Sequence, residues 1–281
     1  MAEKLTKKLE QKKSFHKKFK AYFMSNLIEK GFRKRKNSMY QQGSNDPFTI
    51  SRSKFSNFID CQRCFYLDRV KGLKEPSMPG WALNSAVDDL LKKEFDRHRH
   101  DKTPHPIMKE YNLNFIPYDH PDIDKWRQSL SSGISYLDKE TNLIIKGGID
   151  DVWINLDTEE LVVVDYKAQS SSIPVETKSY LESKFHQGYK RQMDIYVHIL
   201  RNMNFKVSDM TYFMVCNGEK TNDSFDNKID FKTVLVPYQS DPSWIPEMII
   251  KMKQTLESKS IPDYNENCES CVYLACSTKL K

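Results

Sequence analysis

Asp165 and Lys167 stand two residues apart at the end of an apolar run, Leu161-Val162-Val163-Val164. On a strand that spacing points both side chains to one face. A buried strand rarely ends in ionised groups that have no partners. Asp150, in the hairpin arm before it, can face Asp165 across the pair. Two carboxylates held a few ångströms apart repel each other unless a cation lies between them. Mg²⁺ or Mn²⁺, hard and oxygen-liganded and able to keep several waters, meets that need. Such a centre suits phosphodiester hydrolysis by an activated water, with a nearby lysine orienting the water or stabilising charge on phosphorus. Taken alone, Asp165 and Lys167 also fit a strand-end salt bridge. Asp151 lies on the opposite strand face from Asp150 and is the lesser ligand candidate. Downstream, Gln192 and Tyr196 are four apart and share a helix face, from which they can reach a bound water or phosphate.

A second chemistry lies in the cysteines: Cys61, Cys64, Cys216, Cys268, Cys271 and Cys276. Cys216, in the apolar segment Met210–Cys216, reads as a core residue. For the other five, two readings stay open. Cys61-x2-Cys64 with Cys268-x2-Cys271 has the spacing of a four-cysteine Zn²⁺ site. One early cysteine with Cys268, Cys271 and Cys276 has the count for a [4Fe–4S] cluster. Either site ties the start of the body to its tail, closing a loop of over 200 residues.

These groups need elements to position them. Phe55, Phe58, Cys61 and Phe65 recur at three- and four-residue steps, predicting a helix with one buried face, N-capped by Ser51 or Ser53. Pro76 and Pro79-Gly80 break it, and residues 81–99 read as a second helix. A strand is expected over 107–116, a loop over 117–124, then strands at about 143–156 and 160–168 joined by a turn at 157–159. Val162, Val163 and Val164 suggest burial on both faces. A long helix over 178–202, strands 208–216 and 230–236, a helix over 243–258 and a cysteine-rich tail complete the pattern. The sum is a mixed α/β core.

The chain has 281 residues and a formal net charge of +6, but residues 1–36 hold thirteen Lys or Arg against three Glu. That segment is net +10, leaving the other 245 residues at −4. It carries Phe15, Phe19, Tyr22, Phe23 and Leu27 at near-helical spacing and ends in Arg33-Lys34-Arg35-Lys36. A polar stretch from Asn37 to Pro47 reads as a linker. A basic arm of this kind can lie along a nucleic-acid backbone or an anionic surface, or simply be solvated. Because the body is acidic, phosphate contacts there must come from local cations, for which Lys184, Lys190 and Arg191 are candidates. No run approaches eighteen apolar residues, which excludes a membrane-spanning helix. The start has no apolar core leading to a cleavage site, so a cytoplasmic, reducing setting is expected, where disulfides are disfavoured. No GxxxxGK[ST] phosphate loop is present, so no ATPase motor is evident in the chain, and a helicase partner would be a separate polypeptide.

The ordered set Gly148-Ile149-Asp150, Asp165-Tyr166-Lys167 and Gln192-Met193-Asp194-Ile195-Tyr196 resembles the PD-(D/E)XK nuclease superfamily. It is most similar to the RecB-type nuclease domains that include Cas4 and the AddB nuclease. The opening Ser51–Leu67 is similar to the helix that begins those domains. The resemblance covers roughly residues 50–281. It implies a restriction-endonuclease-like mixed central sheet flanked by helices, with a basic helical extension and linker over 1–48 and a nuclease-like domain over 49–281. It implies Mg²⁺- or Mn²⁺-dependent cleavage of DNA, exonuclease-like on single-stranded or free ends. The alternative is an inactive nucleic-acid-binding or scaffolding module of the same fold. By resemblance Asp150 and Asp165 are metal ligands, Lys167 the catalytic lysine, and Gln192 and Tyr196 supporting residues. Such nucleases usually carry a metal-binding histidine on the early helix. Here Asn84 stands roughly at that place, Asp88 follows one turn later, and Glu94 and His98 lie further along. The resemblance also favours the [4Fe–4S] reading, with Cys61 joining Cys268, Cys271 and Cys276 and Cys64 as an alternative ligand, structural Zn²⁺ being the alternative metal. It implies partners in DNA repair, recombination or CRISPR adaptation.

Overall fold

The computed structural model describes residues 29–76, 80 and 82–280. The aromatic positions Phe15, Phe19, Tyr22, Phe23 and Leu27, and Trp81 at the expected helix start, lie outside the described residues. Two compact units divide the chain, the larger built from Asn45–Asp60 and Pro79–Gln254.

Within the larger unit, eight strands form two sheets flanked by helices, as the mixed α/β pattern predicts. β1 (Phe48–Ser51), β3 (Ile134–Asp138) and β4 (Leu143–Gly147) make a three-stranded sheet in the order β1-β4-β3. β1 runs parallel to β4 and β3 antiparallel to it. β2 (Phe115–Pro117), β5 (Asp151–Asn155), β6 (Leu161–Gln169), β7 (Met210–Gly218) and β8 (Phe231–Gln239) make a five-stranded sheet in that order. Its β6–β7 pair is parallel and its others antiparallel. Val162, Val163 and Val164 are at most 1% exposed, so β6 is covered on both faces. Val162, Val164 and Tyr166 join a core with Phe95, Met108 and Trp153, whose Phe95 and Trp153 rings stack 5.5 Å apart. The opposite face, carrying Asp165, meets the helix that holds Gln192.

Several expected elements are broken by local chemistry. The single strand expected at 143–156 is two strands in different sheets, separated by Gly148-Ile149-Asp150 after Gly147 ends the first. A Cβ on Gly147 would come within 2.5 Å of the Tyr196 ring, and one on Gly148 within 2.5 Å of Ser129. The chain crosses between sheets where only a residue without a side chain fits. The helix expected from Ser51 onward is two: α1 (Arg52–Asp60), whose start the Ser51 hydroxyl caps by accepting the Lys54 N–H, and α2 (Gln62–Arg69). Cys61 between them is extended at φ −162°.

α3 (Ala82–Asp101) matches the second expected helix. The strand expected at 107–116 is instead α4 (Pro106–Glu110), because Pro106 suits a first helical turn and the His105 ring accepts the Ile107 N–H; only β2 remains extended. The expected loop at 117–124 leads into α5 (Ile123–Arg127). The long helix expected at 178–202 breaks at Ser183 into α6 (Thr177–Glu182), a 3-10 turn at Lys184–His186, and α7 (Gln187–Asn202). Gln187 stabilises that break by donating to the carbonyls of Leu181 and Ser183, which the interrupted helix leaves unbonded. α7 buries Met193, Ile195, Ile199 and Leu200. Its Asp194 accepts from Tyr238, the Asp241 N–H and Trp244, so one buried carboxylate ties α7 to the end of β8 and the turn after it.

The smaller unit takes the described parts of Met1–Ser44, Cys61–Met78 and Thr255–Lys281. α8 (Ile245–Glu257) ends in it, and α9 (Glu269–Lys279) lies wholly inside it. Within the segment read as a linker, Tyr40 is 3% exposed and bonds Glu257. Arg63 donates to the Pro262 carbonyl and stacks over the Tyr264 ring, and Tyr66 donates to the Ser258 carbonyl. These contacts hold the tail on α2. No helix of the described residues is long and apolar enough to cross a membrane.

Candidate active site and cysteine centre

The antiparallel register of β5 and β6 pairs Asp151 with Val164. Continued by one residue, it sets Asp150 opposite Asp165, as the hairpin reading expects. Asp165 is fully buried and accepts from the Gln192 side-chain amide at 2.6 Å, while the Lys167 ammonium sits on its other oxygen. The same Gln192 amide donates to the Tyr196 hydroxyl at 3.1 Å. Asp150 is half-buried and accepts the Tyr166 backbone N–H at 2.9 Å. Gly147, Gly148, Asp150, Asp165, Lys167, Gln192 and Tyr196 all line one cavity of about 750 Å³.

The electrostatics follow from burial and crowding. Burial, then the nearby charge of Asp165, pushes the Asp150 carboxyl up to about 7, against the pull of Lys167, Lys92 and the Tyr166 N–H. Asp88 is raised by burial and by Asp150. Burial works against the charge of Lys167, but Asp165 and Asp150 outweigh it and its ammonium is held more tightly than usual. The ammonium also lies 4.6 Å from the Tyr189 ring centre.

Asn84 and Asp88 enter this cavity from α3. The Asn84 side-chain amide donates to the Ala168 carbonyl at 3.1 Å. One Asp88 oxygen pairs with Lys92 at 2.5 Å; the other is buried without a hydrogen-bond partner. A set of hard oxygen donors, of which Asp150 and Asp88 are raised by burial and a neighbouring carboxylate and one Asp88 oxygen is orphaned, fits a divalent cation such as Mg²⁺ or Mn²⁺. Glu94 and His98 are occupied elsewhere, with His105 and Thr103 respectively, and do not line the cavity.

Asp151 is excluded from that chemistry by its own partners. It is fully buried and accepts from Arg99, Arg127, Trp153, the Tyr166 hydroxyl and the Val152 N–H. Arg127 also donates to the Asp150 carbonyl, so this network anchors the turn that carries Asp150. Neighbouring aspartates thus have opposite surroundings, one saturated by arginines and one facing the cavity. Arg127 and Lys92 escape a reading by motif, since each is one of many cations on or near a helix. Arg52 escapes it too, although it follows the Ser51 cap directly; it lines the cavity and hydrogen-bonds Tyr196.

The cationic candidates scatter. Arg191 lines the cavity, paired with Asp60 at 2.7 Å. Lys184 lies exposed in the 3-10 turn and Lys190 lies 5.8 Å from the Tyr238 ring, neither lining the cavity. In the smaller unit Arg33 is drawn inward onto buried Asp68, whereas Lys34, Arg35 and Lys36 are exposed.

The smaller unit holds the second centre. Cys61, Cys64, Cys268 and Cys271 bring their sulfurs within 4.8 Å of one another. Cys276 is exposed and outside this group, and Cys64 is inside it. Burial pushes the Cys61 and Cys64 thiols up. At Cys268 burial also raises, but the Cys271 N–H and the neighbouring thiols outweigh it. Cys216 is buried in β7, as a core residue should be.

No curated protein matches this chain. Among solved structures, the crystal structure at 2.19 Å resolution of an exonuclease candidate from Eubacterium rectale is similar over 86% of this chain and 94% of that one, at 15% identity and a TM-score of 0.36. The family model for the PD-(D/E)XK nuclease superfamily matches residues 80–276, which include Asn84, Asp88, Asp150, Asp165, Lys167 and Gln192 of the cavity described above and the C-terminal cysteines. With the match spanning well over half its length, the chain belongs to the PD-(D/E)XK nuclease superfamily.

Proposed function

We propose that this chain is a Mg²⁺- or Mn²⁺-dependent deoxyribonuclease. The observation that carries the reading is the convergence of Asp150, just before β5, with Asp165, Lys167 and Gln192 in one cavity. Nucleases of this superfamily use divalent metals. Asp150 and Asp165 would hold the ion, with Asp88 and Asn84 in reach of the same cavity. When bound, it would polarise the scissile phosphate and make a water nucleophilic near neutral pH.

The chain's own residues do the positioning. Gln192 fixes the rotamer of Asp165 and is itself held by Tyr196. Lys167 keeps its proton beside two carboxylates, so it stays a cation able to steady negative charge on a phosphate oxygen. Asp150 is directed into the cavity by the Tyr166 N–H and by the Arg127 grip on its carbonyl. Arg191, with Lys184 and Lys190 on and before the same helix, would meet phosphates, as would the exposed Lys34, Arg35 and Lys36.

A preference for single-stranded or free DNA ends is supported by a second cavity of about 610 Å³ that shares Asn84 and Ala168 with the first. Its apolar wall includes Leu83, Phe225, Ile229 and Phe231, and Phe225 is 64% exposed. Unpaired bases stack on such surfaces, and paired ones cannot. We place the nuclease activity in residues 49–281, with 1–48 as a basic extension, in a cytoplasmic protein that works beside a separate helicase, recombination or CRISPR-adaptation component.

The deciding assay incubates 5′- and 3′-labelled single- and double-stranded DNA with the full chain and Mg²⁺ or Mn²⁺, beside Asp165→Asn and Lys167→Met. Cleavage by the wild type alone supports the proposal. Intact DNA with undiminished binding in all three selects the inactive binding module instead.

A further inference from the structure

We infer that Cys61, Cys64, Cys268 and Cys271 form a mononuclear, tetrahedral zinc site, and that Cys276 takes no part in it. The sulfur geometry carries the inference. Cys61 and Cys271 stand 3.5 Å apart, Cys64 and Cys268 3.7 Å, and Cys64 and Cys271 3.8 Å. A tetrahedron with zinc–sulfur bonds of about 2.3 Å has edges of about 3.8 Å. Three sulfur–sulfur edges therefore have the length that one zinc ion imposes, and all four sulfurs fall within 4.8 Å.

The [4Fe–4S] set implied by the sequence resemblance does not fit. A cubane offers each of its four irons to a different cysteine, so the thiolates are held apart by the full width of the cluster. Four sulfurs all within 4.8 Å of one another leave no room for it. Nor is its fourth ligand at hand: Cys276 is five residues beyond Cys271 on α9, exposed and outside the group.

The backbone supports the same assignment. The two Cys-x2-Cys pairs are built alike: Cys61 is the N-cap of α2 with Cys64 in its first turn, and Cys268 is the N-cap of α9 with Cys271 in its first turn. The Cys64 N–H donates to the Cys61 sulfur at 3.4 Å. Two helix N-termini thus direct partial positive charge at the four sulfurs, which favours the thiolate form that zinc requires. The inference stands apart from the nuclease reading, since none of these residues lines the cavity of the carboxylates.

The test is the metal content of the full chain, purified without oxygen from cells supplied with both iron and zinc. The expected result is one zinc per chain, a colourless protein and no acid-labile sulfide. Exchange with Co²⁺ should give the strong visible bands of a tetrahedral tetrathiolate. Cys276→Ser should keep its zinc in full, and Cys64→Ser should lose it. Iron with labile sulfide, lost on Cys276→Ser, would overturn the inference, as would a wild-type chain without bound metal. Because Cys276 is exposed and outside the group, its variant should fold and keep its zinc, and the metal content of the wild type decides the matter even if Cys64→Ser does not fold.

Discussion

The carboxylate cavity and the cysteine centre solve the problem of gathering like charges in opposite ways. Around Asp165 the protein supplies its own counter-charge and donors: Lys167, the Gln192 amide, and the Tyr166 N–H on neighbouring Asp150. These partners hold the two carboxylates in place, so a divalent cation would enter a site already arranged. The four cysteines have chiefly one another, with sulfur-to-sulfur contacts and one backbone N–H to sulfur bond within each Cys-x2-Cys pair. Four sulfurs gathered this closely could hold a metal ion. The carboxylate centre is preorganised by the fold, whereas the cysteine centre helps to make it.

That contrast can be broken most decisively by removing metal. A chelator strong enough to strip thiolate-bound zinc should lower the melting temperature sharply, since structural four-ligand zinc sites contribute on the order of 10 kcal/mol. Removing Mg²⁺ with a weak chelator should leave the melt nearly unchanged and stop only cleavage. Calorimetry under both conditions tests the difference, and equal shifts would dissolve it.

Next in size is the effect of Asp165→Asn, which should reduce DNA cleavage by about 10³-fold or more, roughly 4 kcal/mol of barrier. Lys167→Met should cost about 10²- to 10³-fold, as loss of a transition-state charge partner does. Single-turnover rates would separate both from weaker binding; unchanged rates would remove either residue from the reaction.

The pH dependence should also divide the two regions. Asp150 is raised in the fold from an ordinary 3.8 to about 7. Below about pH 4 both folded and unfolded chains hold its proton, and the favourable contribution is complete. As pH climbs towards about 7 the unfolded chain releases that proton first, so this contribution to stability is lost. Asp88 shifts the same way. Metal-free protein should therefore melt lower at about pH 8 than at about pH 5, with Asp150→Asn flattening the slope. A profile that Asp150→Asn leaves unaltered would place the titration elsewhere.

The smallest expected change is Tyr196→Phe. It removes the hydroxyl that Gln192 and Arg52 engage, worth about 1 kcal/mol of stability and a several-fold loss of rate. A urea titration and a kcat comparison would read it, and a loss as large as that of Asp165→Asn would promote Tyr196 from brace to participant.

How much of this was legible in the chain varies by residue. The opposition of Asp150 and Asp165 could be read because a period-two strand and a short turn dictate the register. The burial of Val162–Val164 followed from their apolar run. The break at Gly147-Gly148 could not be read, because what demands it is the Tyr196 ring about 50 residues later. The helix at Pro106–Glu110 was hidden by an alternating pattern that a proline at its first turn outweighs. That Asp151 lies on the face opposite Asp150 could be read from strand alternation, but not that Arg99 and Arg127, from two different helices, claim it.

By itself the sequence determined the donor types, the strand that aligns Asp165 with Lys167, the helix face shared by Gln192 and Tyr196, and two Cys-x2-Cys pairs. Each is fixed by spacing along one element, where backbone periodicity alone decides which side chains share a face. Only the tertiary structure decided that two arginines saturate Asp151, that Asp88 and Arg52 reach the cavity, and which four cysteines meet. Those choices depend on chain segments up to about 200 residues apart, and no local periodicity encodes where such segments come together.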